Sequence, residues 1–195
     1  MTVLRIFQQD NPQTPIFDSN NIASPKERIN TIKEKLQQLG VRFEQWETKT
    51  EVVSGASEEE ILSAYQPEVE KLMSEGGYLK VDVVSLTPNH PQKEELRQKF
   101  LSEHTHSEDE VRFFVDGLGL FSIHIDNQVL EILCGRGDLI GVPANTRHWF
   151  DMGANPRFTA IRFFNNPSGW IANYTGSDIA SRFSRLEDYL AVSVS

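Results

Sequence analysis

His104-Thr-His106-Ser-Glu-Asp-Glu110-Val-Arg112 is the stretch on which the reading of this chain turns, and a lone histidine in Pro143-Ala-Asn-Thr-Arg-His148-Trp-Phe150 answers it downstream. Together the two segments supply three imidazoles and one carboxylate. Along a β-strand, side chains at even offsets share a face, so a strand over residues 104–112 predicts that His104, His106, Glu110 and Arg112 point the same way. Three neutral nitrogens and one hard oxygen suit a divalent first-row metal such as Fe(II), Ni(II), Mn(II), Co(II) or Zn(II). The lack of thiolates argues against a closed structural zinc site. In octahedral coordination, four protein ligands leave two positions for water or a chelating substrate. The competing reading, polar surface histidines on a strand, requires four suitable groups to fall by chance at compatible parity beside turn signals.

Outward from this stretch, the C-terminal half reads as short strands separated by turns. Residues 109–116, 119–125, 128–134, 138–142, 146–151 and 157–164 carry strand patterns, divided at Gly117-Leu-Gly119, Asp126-Asn127, Gly135-Arg-Gly137 and Pro143. This spacing predicts an antiparallel sandwich or barrel. The N-terminal half is mixed. Ser24 as N-cap, Pro25 at the first helical position, Glu27 closing a capping box, and Ile29, Ile32, Leu36 and Leu39 predict a helix over 24–39 that Gly40 ends. A strand follows over 41–46. A second capping box, Ser57 with Glu60, opens a helix that Pro67 breaks or kinks before it resumes to about Glu75. Residues 78–86 read as a strand and 92–101 as a short helix. The expected fold class is therefore mainly β with flanking helices (α+β). One domain over 1–195 is expected, with a mixed α/β part at about 1–101 and a metal-binding β-barrel core at about 102–170.

Composition narrows the function. The chain has 195 residues, 38% of them hydrophobic and 24% charged, with 12 Phe and 3 Trp, which is enough to build a core. A net charge of −9 without any Lys/Arg cluster disfavours nucleic acid and anionic membrane surfaces as partners. No apolar run approaches the ~18 residues of a membrane span, and Met1-Thr-Val-Leu-Arg-Ile-Phe lacks an export pattern, so a cytoplasmic protein is expected. The acidic balance and missing heptads make a monomer the expectation. Cys134 is the single cysteine, which excludes an internal disulfide, and the apolar run Val129-Leu-Glu-Ile-Leu-Cys134 favours a core role over a catalytic thiol. His90, before Pro91, reads as a loop residue. His124 has no acidic or histidine partner nearby in sequence and is expected to be exposed or hydrogen-bonded.

His104-x-His106-x3-Glu110-x6-Gly117 and Gly137-x5-Pro143-x4-His148 resemble the two motifs of the cupins, β-barrel proteins of the double-stranded β-helix or jelly-roll type that hold a metal inside the barrel. Three positions depart from the pattern: Gln98 stands where the first motif begins with Gly, Asn145 replaces the Gly after the proline, and Met152 stands where many cupins have Asn. Asn tolerates left-handed turn geometry, so the second change preserves the turn. Beyond these motifs the chain is similar to the acireductone dioxygenases of methionine salvage in Tyr65-Gln-Pro-Glu-Val-Glu70, His90-Pro-Gln, Glu103-His-Thr-His106, Asp109-Glu-Val-Arg-Phe-Phe114, His148-Trp-Phe-Asp-Met152 and Phe164-Asn-Asn-Pro-x-Gly-Trp170.

The resemblance implies one Fe(II) or Ni(II) per chain, held by His104, His106, Glu110 and His148. It implies O2-dependent cleavage of the enediol 1,2-dihydroxy-5-(methylthio)pent-1-en-3-one. The iron form gives formate and 4-methylthio-2-oxobutanoate; the nickel form gives formate, carbon monoxide and 3-methylthiopropanoate. An enediolate is a bidentate oxygen donor, which matches the two open positions of the site. Arg112, on the ligand face, is the expected catalytic residue, stabilising the substrate anion; a surface arginine balancing Asp109 or Glu110 is the alternative. Phe100, Phe150 and Trp170 match substrate-pocket positions, where an apolar wall suits a methylthio tail. Glu103 and Asp109 lie at odd offsets and are expected to support the ligands from behind or to guard metal entry. The competing functions are another cupin enzyme, such as an isomerase or a different dioxygenase, and a non-enzymatic metal-binding module.

Overall fold

The computed structural model describes residues 2–48, 56–166 and 171–192. Two antiparallel sheets share one long strand. The first carries, in order, β11 (Asn173–Tyr174), β5 (His104–Thr105), β9 (Arg147–Asp151), β6 (Glu110–Ile125), β7 (Gln128–Gly135), β1 (Val3–Gln8) and β2 (Phe17–Asp18). The second is built from β4 (Lys80–Leu86), β10 (Phe158–Phe164), the first half of β6, β8 (Asp138–Val142) and β3 (Arg42–Gln45). Strands from the N-terminal half are thus woven into both sheets, β1 beside β7 and β3 beside β8.

β6 passes from one sheet to the other, and this corrects the expected pair of strands with a turn at Gly117-Leu-Gly119: the strand runs unbroken through those residues. Its first half pairs with β8 and β10, its second with β7 and β9. The change of sheet is made at a bulge, where the register with β10 shifts between Thr159 and Ala160. Gly117 sits there at φ +73°, and a Cβ on it would lie 1.8 Å from the Arg157 carbonyl oxygen, so only glycine fits. Glycines read as turn punctuation instead allow a strand to bend sharply and continue.

Both faces of the sheets are covered. Leu4, Phe43, Phe114, Phe121, Ile132, Ile140, Phe150 and Phe158 pack between the two sheets, and Ile32 and Leu36 of α1 (Pro25–Gln38) join the same cluster. The outer face of the second sheet, with Val111, Phe113 and Phe163, is covered by Ile61 of α2 (Glu58–Ala64) and Val69 and Leu72 of α3 (Gln66–Gly76). The outer face of the first sheet is covered by the C-terminal segment, with Phe183 against Trp149 and Leu186 and Tyr189 of α5 (Leu186–Val192) against Leu120 and Leu133.

The helix starts follow their caps. Ser57 accepts from the Glu60 backbone while Glu60 reaches back to the Ser57 amide, a full capping box. At α1 the Ser24 hydroxyl accepts from the Glu27 amide. Pro67 falls in the first turn of α3, so α2 and α3 are separate helices divided at Tyr65. α4 (Lys93–Leu101) leads directly into the ligand segment. No helix of the described residues is long and apolar enough to cross a membrane.

Candidate metal centre

The ligand segment is not one strand. β5 ends at Thr105, residues 106–109 form a turn, and β6 begins at Glu110, so the even-offset parity expected over 104–112 holds only within each piece. Convergence is achieved by tertiary pairing instead: His104 stands opposite His148 across β5 and β9, and His148 opposite Ile123 across β9 and β6. The loops are tied to each other as well. Asn145, at φ +60°, donates its amide to the His106 carbonyl at 2.7 Å, and the Ala144 amide donates to Asp109 Oδ1 at 2.8 Å. The Pro143 turn, which aims His148, is therefore held by the turn that follows His106.

One ligand atom from each of His104, His106, Glu110 and His148 lies within 4.8 Å of the others, and all four residues are buried. Each imidazole has its Nδ1 at a backbone carbonyl oxygen: His104 at Ser102 (2.7 Å), His148 at Thr146 (2.8 Å) and His106 at Ile171 (3.3 Å). A carbonyl can only accept, so Nδ1 carries the proton and a neutral ring presents an Nε2 lone pair. Nε2 of His106 and of His148 stand 3.0 and 3.1 Å from the same oxygen, Glu110 Oε2. Electron-pair donors converging in this way fit a divalent cation, since adjacent ligands around a metal with bonds of ~2.1 Å are themselves about 3 Å apart. Burial, helped by the neighbouring His148, pushes His104 down to about 4, so it is available as a neutral ligand at physiological pH.

Burial alone would raise the Glu110 carboxyl, but the Arg112 guanidinium beside it outweighs that and holds Glu110 well below the usual carboxylate range. Arg112 Nη2 is 2.7 Å from Glu110 Oε1, and Arg112 is only 5% exposed, so it does balance Glu110 but from inside the barrel and not from the surface. Its guanidinium carbon lies 4.8 Å from the centre of the Phe150 ring and 6.0 Å from that of Phe100. Gly119 gives Phe150 its place: a Cβ there would lie 2.4 Å from the ring.

These groups line a cavity of about 260 Å³ whose walls include Phe100, Phe150, Arg112, the four ligands, Lys99, Arg162, Ala172 and Tyr174. Phe100 and Phe150 are thus brought together as expected, and Trp170 lies outside the described residues. Lys99, Arg162 and Tyr174 were not anticipated. Arg162 is bound bidentately by Asp82 and stands opposite Arg112 in the β6–β10 register. A sequence signal for it existed: in Phe158-Thr-Ala-Ile-Arg162-Phe-Phe164 it is the one charged residue on the even, inward parity. A larger cleft of about 610 Å³ lies beside α4 and α5, but it holds none of the converging donors.

Glu103 is 2% exposed; its carboxylate accepts from His124 Nδ1 at 2.7 Å and from the Thr175 hydroxyl at 2.7 Å. His124 is therefore buried and hydrogen-bonded, with a partner 21 residues distant that no local reading could supply. Asp109 is exposed and caps the Pro143 turn. Cys134 is fully buried and burial pushes its thiol well above the ordinary range, in keeping with a core role.

A sequence model of the ARD/ARD′ family matches residues 4–172. An acireductone dioxygenase of Pseudomonas savastanoi pv. phaseolicola is 54% identical over 188 residues, covering 96% of this chain and 100% of the relative. An acireductone dioxygenase of Synechococcus sp. is also 54% identical, over 186 residues, covering 95% and 99%. Among solved structures, acireductone dioxygenase from Bacillus anthracis, with a cadmium ion in its active centre, superposes with a TM-score of 0.73 at 31% identity, covering 89% of this chain and 98% of that one. A four-donor pocket inside a two-sheet barrel, matched over nearly the whole chain, places this protein in the ARD/ARD′ family, the acireductone dioxygenases.

Proposed function

We propose that this chain is a cytoplasmic, monomeric acireductone dioxygenase acting as one cupin-type domain in methionine salvage. In this reading it cleaves 1,2-dihydroxy-5-(methylthio)pent-1-en-3-one with O2. One Fe(II) or Ni(II) per chain is held by His104, His106, Glu110 and His148. With Fe(II) the products are formate and 4-methylthio-2-oxobutanoate; with Ni(II) they are formate, carbon monoxide and 3-methylthiopropanoate. The observation that carries the reading is the convergence of three Nδ1-anchored imidazoles on the Glu110 carboxylate in a cavity that also holds a buried arginine.

When bound, the metal supplies Lewis acidity and a point at which two enediolate oxygens chelate. The chain supplies the rest. Arg112, permanently charged and enclosed by aromatic rings, stabilises the substrate as its anion and so lowers the cost of removing the enediol proton. Lys99 and Arg162 add positive charge to the same walls. Phe100 and Phe150 provide the apolar side for the methylthio tail and exclude water. Glu103 and Asp109 act from behind the ligands, Glu103 through His124 and Thr175 and Asp109 through the Pro143 turn.

The test is anaerobic reconstitution of the metal-free protein with Fe(II), followed by O2 electrode measurement on adding the enediol. O2 consumption that needs both metal and enediol is expected. Full metal occupancy without O2 consumption would move the protein to another activity or to a binding role.

A further inference from the structure

The segment 171–175 contributes twice to the metal centre. Its Ile171 carbonyl accepts from His106 Nδ1, and its Ala172 and Tyr174 wall the cavity, with the Tyr174 ring 5.9 Å from that of His104. Within it β11 is only two residues long and pairs with the equally short β5. So small a ladder does not by itself hold a wall in place. What secures the segment lies at its far end. The Thr175 amide donates to the Glu103 carbonyl at 3.1 Å and the Thr175 hydroxyl to Glu103 Oε1 at 2.7 Å.

Glu103 is fixed in turn. Its second oxygen, Oε2, accepts from His124 Nδ1 at 2.7 Å, and His124 Nε2 is hydrogen-bonded to the Gln9 side-chain amide at 3.0 Å. The Gln9 backbone N–H donates to the Asn127 carbonyl in the β6–β7 turn at 2.9 Å. His124 belongs to β6, in the part paired with β7 and β9, so the chain of contacts ends on the most extensively paired strand of the fold. Glu103 and His124 are 2% and 5% exposed, so neither is a solvated surface group that happens to lie near its partner. A buried carboxylate with both oxygens committed to named donors is a rigid post.

We propose that His124 and Thr175 are positioning residues for the metal centre: through Glu103 they clasp residues 171–175 against β5, and so hold both the His106 ring and the Tyr174 wall. The inference rests on the proposed dioxygenase reading for its effect on turnover, but not for its effect on metal retention. Thr175→Val removes the hydroxyl while keeping the shape, and cuts the clasp at the segment. His124→Asn cuts it at the post and serves as the second variant if the first is compensated locally.

The experiment has two readouts on Ni(II)-loaded protein, neither of which needs substrate. Hydrogen exchange by mass spectrometry follows the peptide carrying residues 171–176 against peptides from β6 and β7. Ni(II) release into excess chelator is timed in parallel. Loss of a hydrogen bond to a buried charged group should accelerate exchange in 171–176 by about tenfold or more while the β6–β7 peptides are unchanged, and should speed Ni(II) release about tenfold, the scale for loss of an outer support of a ligand. In the active enzyme, KM for the enediol should rise more than kcat falls. Unchanged exchange at 171–176 in both variants would overturn the clasp. Faster exchange with unaltered Ni(II) release and KM would overturn its role in positioning. Exchange and release effects in the variants, together with no O2 consumption by the wild-type protein, would reject the dioxygenase reading and leave the clasp standing.

Discussion

Arg112 and Glu110 divide the work of the site between them. Glu110 faces His106 and His148 with one oxygen and Arg112 with the other, so the same carboxylate serves the metal and anchors the cation that meets the substrate. Arg112→Ala is expected to leave the metal-to-protein ratio at one while kcat falls by about 10²–10³, the scale for removing a group that stabilises developing negative charge; metal analysis and O2 uptake on the same sample check this, and normal turnover would sink the role. Glu110→Gln keeps the shape but removes the charge, and should weaken Ni(II) binding by at least about tenfold in a chelator competition. At this scale the sequence was highly legible. The ligands and Arg112 are chemically distinctive and near one another, whereas Arg162 and Tyr174 reach the cavity only through pairing of β10 and β11 with distant strands.

α4 is the element that brings Phe100 to Phe150, and Arg97 pins it, through Asp151 and through Glu187 of α5 at 2.7 Å. Arg97 donates to both oxygens of Asp151 on β9, at 2.8 and 2.9 Å, and Asp151 also accepts the Gly153 and Leu186 amides. Arg97→Ala leaves that buried carboxylate without its cation and should cost about 3 kcal/mol in urea unfolding. Burial would raise the Asp151 carboxyl, but Arg97 and the backbone donors outweigh it and hold it below its ordinary value. The stabilisation from this group is therefore complete above pH ~4, the unfolded value, and is lost as pH falls through the depressed folded value. The Arg97→Ala variant should show a flatter decline in stability below pH 4 than the wild type; an identical acid limb would count against the pairing. α1 and α2 were readable because their caps are local, whereas α5 was not anticipated. β6 was legible as strands over 109–116 and 119–125 but not as one strand: Val111, Phe113 and Val115 are buried under helices on one side and Arg112 and Phe114 on the other, so no alternation carries across the bend. Gly117 then supplied a false end.

Across the whole molecule, the metal centre lies where both sheets, the turns after His106 and Pro143, and the segment before β11 meet, so ligand convergence is a product of folding rather than of any one element. Metal binding should therefore stabilise the fold. Ni(II) at about a hundred times its Kd adds ~2.7 kcal/mol and should raise Tm by about 5 °C or more in calorimetry; no shift would mean that the metal binds elsewhere or binds the unfolded chain equally well. Much of this architecture was legible as a class, a β-barrel with flanking helices, because strand spacing and turn residues repeat along the chain. The weaving of β1, β3 and β4 into the barrel was not, because antiparallel partners 72 to 130 residues apart, such as Leu86 and Phe158 or Val3 and Leu133, leave no local mark. The measurement that tests the central claim most directly divides one metal-free preparation in two, loads Fe(II) or Ni(II) to one equivalent, and analyses the products of the enediol and O2. Formate with the 2-oxo acid from the Fe(II) half, and formate with carbon monoxide from the Ni(II) half, is the predicted result; neither half consuming O2 at full occupancy would contradict it.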